Sequence, residues 1–302
     1  MKLLITGAWR HTEDQLSQIR QFGHDVLFLQ NENEDLPCEY ESVDGVICNS
    51  LFLYHPIEKF TNLKYIQLIS AGFDRVPMEY VVSHNIVINN ARGVYSIPMA
   101  EFALSSVLSV YKQTNFFRSS QVSHSWNKKR DLRELAGKRV CIIGCGSVGS
   151  ECAVRFSAMG CDVIGIDAIP TPKKEFTLIL SVDSLKATAS MSDIIILTLP
   201  LTEETRGIID RSVLENLSLG AVIVNISRGA IIDTSALIEV LSERSDITAV
   251  LDVFTEEPLS AENQLWDMEN LLITPHNSFV GEGNADRLWS VIIDNIRNYN
   301  SK

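Results

Sequence analysis

Two doubly wound parallel-sheet domains of the α/β class are the architecture this sequence predicts, and three observations predict it. Short apolar runs alternate with polar segments of helical period in the first third of the chain; a second series of such runs starts at Lys138; and a glycine-rich turn follows the first run of that second series. With 302 residues, 45% hydrophobic content and 9 prolines, the chain can bury two ordinary cores but hardly three.

From Met1 to Asn90 the runs "KLLITG", "DVLFLQ", "VDGVICN", "LKYIQLISAG" and "IVINN" read as strands of a small parallel sheet, with "EDQLSQIRQFG" as a flanking helix. The first turn, "TGAWRHT", carries one glycine and no GxGxxG, so this half lacks the usual phosphate cradle and is expected to hold the substrate instead. Ser96-Ile97-Pro98 opens a long helix in which Met99, Phe102, Ala103, Val107 and Val110 recur at helical spacing, with proline tolerated in the first turn. After the basic segment around "SWNKKRDLREL" come "KRVCIIG", "CDVIGID", "SDIIILTLP", "AVIVNIS", "ITAVLDV" and "NLLITP", read as six strands of a second sheet. The last stretch, "GEGNADRLWSVIIDNIRNY", puts Leu288, Ile292, Ile296 and Tyr299 on one side of a final helix expected to return to the first domain. The expected division is a discontinuous substrate (catalytic) domain, 1–95 and 279–302, around a cofactor domain, 96–278.

Composition excludes several functions. The 38 acidic against 26 basic side chains give a formal charge of -12, whose field repels phosphodiester backbones and anionic membrane surfaces, so no nucleic-acid partner is expected. The apolar runs are a handful of residues long, far short of the roughly 20 needed to span a bilayer, so no membrane partner is expected either. The first residues turn polar too soon for a secretory signal. Six cysteines without a CxxC pair argue for reduced thiols in a cytoplasmic protein, and for no metal.

Gly144-Cys145-Gly146-Ser147-Val148-Gly149 follows the strand "RVCII" and opens the helical pattern "SECAVRFSAMG". Alone, GxGxxG is a weak signal; in this context its glycines permit a tight turn, close approach of backbone to a pyrophosphate, and helix-on-strand packing. The helix N-terminus adds free N–H groups and a positive dipole. Eighteen residues past Gly149, Asp167 ends the next strand, where a carboxylate can accept both ribose hydroxyls and repel a 2′-phosphate. NAD is therefore expected over NADP; Lys173 and Lys174 lie just beyond and could in principle soften that preference, but are read as solvated charges.

In a doubly wound sheet, ligands bind beyond the carboxyl ends of the strands. "AVIVNIS" ends at Arg228-Gly229, "ITAVLDV" leads through Phe254 to Glu257-Pro258, and "LLITP" ends at His276. Singly, these residues suit a surface ion pair, a solvated turn carboxylate and a turn histidine. Together, beside a dinucleotide fingerprint, they suit reduction of a carbonyl next to a carboxylate. A forked guanidinium can hold that carboxylate and polarise the carbonyl. Imidazolium can hand a proton to the oxygen as hydride arrives at carbon, and a neighbouring carboxylate would orient the ring and favour its charged form.

At this point the chain resembles the D-isomer-specific 2-hydroxyacid dehydrogenase family. "SAGFDRVP" from Ser70, "GCGSVG" with Asp167, "LPLTEETRGIID" from Leu199, "VNISRGAIID" from Val224, "LDVFTEEPL" from Leu251 and "TPHNS" from Thr274 match its motifs in order and spacing. The resemblance implies a flavodoxin-like substrate domain and a Rossmann NAD-binding domain with a cleft between them, and interconversion of a 2-keto acid and a D-2-hydroxy acid. It makes Arg228 the substrate-binding arginine, His276 the acid/base and Glu257 its partner, with Glu256 a bystander. It also implies cofactor contacts at Pro200, Ser227 and Asp252, and a grip on the substrate carboxylate by the N–H groups of Ala71 and Gly72. The formate-oxidising branch carries glutamine where Glu257 stands and is disfavoured. Ser278, where many relatives have alanine or glycine, and "LENLSLGA", without the usual Met-Lys pair, are departures away from the chemistry. The C-terminal regulatory domain of longer phosphoglycerate dehydrogenases is expected to be missing, and a homodimer is expected through the cofactor domain.

For the substrate side chain, the loop Ser50 to Tyr54, which includes Phe52, has no cation, and Tyr95 and Phe279 resemble aromatic pocket positions of the family's lactate and hydroxyisocaproate members. The resemblance implies a small or apolar 2-keto acid, with packing into the core as the other reading of these aromatics. Hydroxypyruvate, glyoxylate or phosphoglycerate-type substrates are the alternatives, together with a non-catalytic NAD(H) sensor like the dehydrogenase-related corepressors.

Overall fold

The structure, a computed structural model, describes residues 1–300. The chain divides into two compact units, residues 1–95 with the segment from Gly281 onward, and residues 96–280. Phe279 thus belongs to the second unit.

In the first unit β1 (Lys2–Thr6), β2 (Asp25–Leu29), β3 (Gly45–Cys48), β4 (Tyr65–Leu68) and β5 (Val87–Asn89) form a parallel sheet in the order β2-β1-β3-β4-β5. Helices α1 (Glu13–Gln21) and α2 (Met78–Ser83) flank it. Helix α1 starts where it does because Thr12 and Gln15 form a reciprocal capping box. The strands read as near-continuous apolar runs because both faces are covered, and the pleat sends alternate residues to opposite layers. Leu4, Val46 and Ile66 enter one core; Leu3, Ile5, Ile47 and Tyr65 enter the other.

The second unit begins with α3 (Ser96–Tyr111) and α4 (Thr114–Val122). There follow β6 (Arg139–Ile143), α5 (Ser147–Ala158), β7 (Asp162–Ile166), β8 (Leu178–Leu180), α6 (Leu185–Ser190), β9 (Ile194–Leu197), α7 (Arg211–Leu214), β10 (Val222–Asn225), α8 (Thr234–Glu243), β11 (Thr248–Leu251) and β12 (Leu271–Ile273). The sheet runs β12-β11-β10-β9-β6-β7-β8, all parallel. It has seven strands where six were expected; the extra one, β8, is a three-residue edge strand whose pattern is too short to read from sequence. Because β6 pairs with both β7 and β9, the connections leave it in opposite directions, which opens a crevice at its carboxyl end. Every residue of β9 is completely buried.

The last helix, α9 (Asn284–Asn300), lays Leu288, Ile292 and Ile296 into the first unit's core beside Leu3 and Ile5. Among the described residues no helix is long and apolar enough to cross a membrane, and no group of three or more His, Cys, Asp or Glu could hold a metal ion.

All six cysteines are unpaired, and Cys48, Cys141, Cys145 and Cys152 are buried. Burial pushes the Cys48 thiol up, and those of Cys141, Cys145 and Cys152 up to about 12, leaving almost no thiolate at neutral pH. Ellman's reagent is accordingly expected to label at most Cys38 and Cys161 in the native protein and all six thiols in guanidinium. Rapid native labelling of four or more would contradict this packing.

Candidate active site

The glycine loop sits at the crevice between β6 and β9, and each glycine has a separate cause. Gly144 has φ +95°, and a Cβ there would lie 2.6 Å from the Leu199 backbone nitrogen. A Cβ on Gly149 would lie 2.1 Å from the Gly144 carbonyl oxygen, so its absence lets α5 close onto the loop. Gly146 differs: its φ is -72°, and a Cβ would meet nothing within 4 Å. Nothing in the protein's own packing requires glycine there, whereas a pyrophosphate lying against the backbone would. Gly146 is also the N-cap of α5 without a side-chain cap, so Ser147 and Val148 present first-turn N–H groups at a helix of twelve residues. The residues present therefore fit a dinucleotide. Thr198 ties the crevice shut from the β9 side, its hydroxyl donating to the Gly144 carbonyl at 2.6 Å. Pro200, two residues on, is exposed at the same edge.

Asp167 leaves the end of β7 and accepts the Cys145 N–H at 2.7 Å through one oxygen and the Ile169 N–H at 3.0 Å through the other. Each oxygen keeps a free lone pair for a ribose hydroxyl. Lys173 is not a solvated charge: it is half-buried, and its ammonium donates to the Cys145 carbonyl. Lys174 is exposed, as a solvated charge should be.

Strands β10, β11 and β12 are neighbours in the sheet, so the loops leaving their carboxyl ends are neighbours too. After β10, Asn225 turns the chain: its carbonyl oxygen accepts from the N–H and hydroxyl of buried Ser227, and its amide donates to the Arg228 carbonyl. The Arg228 guanidinium donates to the Ser227 carbonyl at 2.8 Å. Gly229 presses this turn onto the next loop, since a Cβ there would lie 2.0 Å from the Phe254 carbonyl carbon. That loop runs from Phe254 to Glu257, whose Oε1 accepts the Phe254 N–H at 2.9 Å.

From β12 comes His276. Its Nδ1 pairs with Glu257 Oε2 at 2.8 Å, and Phe279 packs edge-on against the imidazole with centroids 5.8 Å apart. Both oxygens of Glu257 are thus directed, one by backbone and one by the ring, which leaves His276 Nε2 as the nitrogen for other chemistry. His276 and Glu257 side chains are each a little over one-third exposed, open enough for a substrate to reach.

Asp252, expected to line the cofactor, has a bracing role in the histidine turn. It is fully buried, and its carboxylate accepts the Thr274 hydroxyl at 2.6 Å, the Asn277 N–H at 2.8 Å and the Ser278 N–H at 2.9 Å. Its carbonyl accepts the His276 N–H at 2.7 Å. Asp252 is therefore the brace of the histidine turn, and Thr274 and Asn225 join it as supporting residues that sequence reasoning passed over.

The remaining candidates stand in the first unit. Ala71 and Gly72 follow β4, in a turn fixed by the Asn90 amide on the Ala71 carbonyl and the Ser70 hydroxyl on the Gly72 carbonyl. The N–H groups of Ala71 and Gly72 have no acceptor among the described residues. Phe52 is buried and packs edge-on against Phe60, so its ring is core; Leu53 and Tyr54 are the exposed residues of that loop. Tyr95 donates its hydroxyl to the Ile69 carbonyl at 2.5 Å and packs against the core. Two of the three aromatics that suggested an apolar pocket are thus packed into the first unit's core. The same loop is pinned by Glu32, which accepts from Thr6, Asn49 and Ser50, and Arg75 reaches the Ser50 hydroxyl at 3.0 Å.

A dinucleotide-type crevice and a histidine–carboxylate pair on adjoining strand ends of one doubly wound sheet define the class. The chain belongs to the D-isomer specific 2-hydroxyacid dehydrogenase family: a model of that family's NAD binding domain matches residues 104–278. It is 30% identical to a D-3-phosphoglycerate dehydrogenase of Methanocaldococcus jannaschii over 98% of this chain and 57% of that protein. It is 29% identical to a glyoxylate/hydroxypyruvate reductase of Arabidopsis thaliana over 80% of this chain and 75% of that protein. The chain spans about half the length of the phosphoglycerate dehydrogenases it matches. A D-isomer specific 2-hydroxyacid dehydrogenase from Xanthobacter autotrophicus, solved with NADPH and MES, superposes with a TM-score of 0.80 at 27% identity, covering 99% of this chain and 95% of that one.

Proposed function

We propose that this protein is an NAD-dependent oxidoreductase interconverting a 2-keto acid and the corresponding D-2-hydroxy acid. The observation that carries the reading is the His276–Glu257 pair, 2.8 Å long and anchored at its far end by the Phe254 N–H. Residues 96–280 act as the cofactor unit, a reading supported by the family match over 104–278 and by the ligand-shaped absence of a side chain at Gly146.

The nicotinamide supplies or takes the hydride when bound. The chain's own residues do the rest. The first-turn N–H groups of α5 and the Gly146 backbone hold the pyrophosphate, and Asp167 accepts from the ribose. Arg228 offers a planar fork to the substrate carboxylate and the carbonyl oxygen beside it. His276, its Nδ1–H donated to Glu257, carries the mobile proton on Nε2 and delivers it to the carbonyl oxygen during reduction; in the reverse direction the neutral ring takes it back. Asp252 holds the turn that aims the ring.

The test is NADH oxidation on a panel of apolar, hydroxylated and phosphorylated 2-keto acids, with the chirality of the product determined. At least one member is expected to be reduced, to the D-hydroxy acid. Tight NADH binding with no reduction of any member would sink the enzyme reading and leave a nucleotide-binding scaffold. A cytoplasmic home and a homodimer complete the reading, supported respectively by the six unpaired cysteines and by the family resemblance; sedimentation velocity checks the second.

A further inference from the structure

Lys173 breaks the expectation set for it, and its position bears on which dinucleotide the site accepts. It lies six residues beyond Asp167, yet its ammonium folds back onto the Cys145 carbonyl while Asp167 takes the Cys145 N–H. A carboxylate and an ammonium thus flank one residue of the glycine loop. Lys173 makes no ion pair with a carboxylate among the described residues, and Lys173 and Asp167 are each half-buried rather than extended into solvent. The Cys145 carbonyl uses one of three ammonium donors, leaving two. On the other side, both Asp167 oxygens already accept backbone N–H groups, which offsets part of the negative charge that would repel a phosphate at the ribose.

We infer that Lys173 is a specificity-determining cofactor ligand: its ammonium binds the 2′-phosphate of NADP(H), so this site accepts the phosphorylated dinucleotide alongside NAD(H) in spite of Asp167. The inference rests on the dinucleotide reading of the glycine loop and extends it to a ligand group that the Asp167 signature taken alone would exclude.

Binding of two cofactor fragments tests it without turnover. ADP-ribose and ADP-ribose 2′-phosphate are titrated calorimetrically into the full-length wild type, Lys173→Met and Lys173→Arg. In wild type the two dissociation constants are expected to lie within about tenfold of each other. Since a charge-assisted hydrogen bond to phosphate is worth about tenfold to a hundredfold, Lys173→Met should shift their ratio against the phosphorylated fragment by that factor. Lys173→Arg, which keeps the charge, should restore most of the ratio. An equal loss for both fragments in Lys173→Met would make the lysine a loop brace and overturn the inference, as would a wild type that rejects the phosphorylated fragment by a thousandfold. If neither fragment binds wild type, the dinucleotide reading itself fails and takes the inference with it.

Discussion

His276→Gln is expected to lower kcat by about 10² to 10⁴ on whichever 2-keto acid the wild type reduces best, with NADH binding retained. Glutamine keeps a polar group of similar reach but has no proton to give at neutral pH. Glu257→Gln is the informative companion. Its amide oxygen can still accept from His276 Nδ1, but the amide nitrogen then faces the Phe254 N–H, donor against donor, at a contact that is now 2.9 Å. The ring loses both its orientation and its counter-charge, and a fall in kcat of about 10- to 100-fold should follow, a smaller loss than that of the acid itself. Because the two side chains act as one unit, the double variant should be little worse than His276→Gln alone. Multiplicative losses would mean that Glu257 serves something other than the ring. Full activity in His276→Gln would reduce the histidine to a turn residue and remove the proposed chemistry.

Much of this was legible in the sequence, for reasons that are physical. Parallel strands buried on both faces advertise themselves as unbroken apolar runs, so β6, β7, β9, β10, β11 and β12 could be placed from composition alone. Their strictly local signal also marked the ends at which Arg228, Glu257 and His276 emerge. What could not be read were relations between strands. The register pairs Leu251 with Ile273, which sets Asp252 beside Thr274 one step further on and makes it a buried brace of the histidine turn. The core packing of Phe52 and Tyr95 was hidden for the same reason: an aromatic in a loop pattern carries no mark of which way its ring turns. Lys173 looked like surface charge because a flexible stem can reach back to a carbonyl 28 residues earlier in the chain.

Asp252→Asn should damage both stability and catalysis, although Asp252 lies behind the reacting groups. His276 sits at φ 50°, in the left-handed region, where a non-glycine residue costs about 1 to 3 kcal/mol and persists only if its surroundings hold it there. The surroundings here are Asp252: its carboxylate takes one hydroxyl and two N–H groups from residues 274–278, while its carbonyl takes the His276 N–H. An asparagine of the same size removes the charge and turns one acceptor into a donor facing a donor. With one buried N–H orphaned at about 1 to 3 kcal/mol, the second unit should lose several degrees of melting temperature. The turn would then relax toward ordinary backbone angles and swing the imidazole away from Glu257. A displacement of about 1 Å can cost on the order of 10² in rate, so kcat should fall by roughly that factor while the far-ultraviolet circular dichroism stays native. A variant with an unchanged melting temperature and undiminished kcat would show that the β11 and β12 strand ends hold the histidine without this carboxylate. A variant that loses stability but keeps kcat would separate the brace from the chemistry, and place the aim of the ring on Glu257 and Phe279 alone.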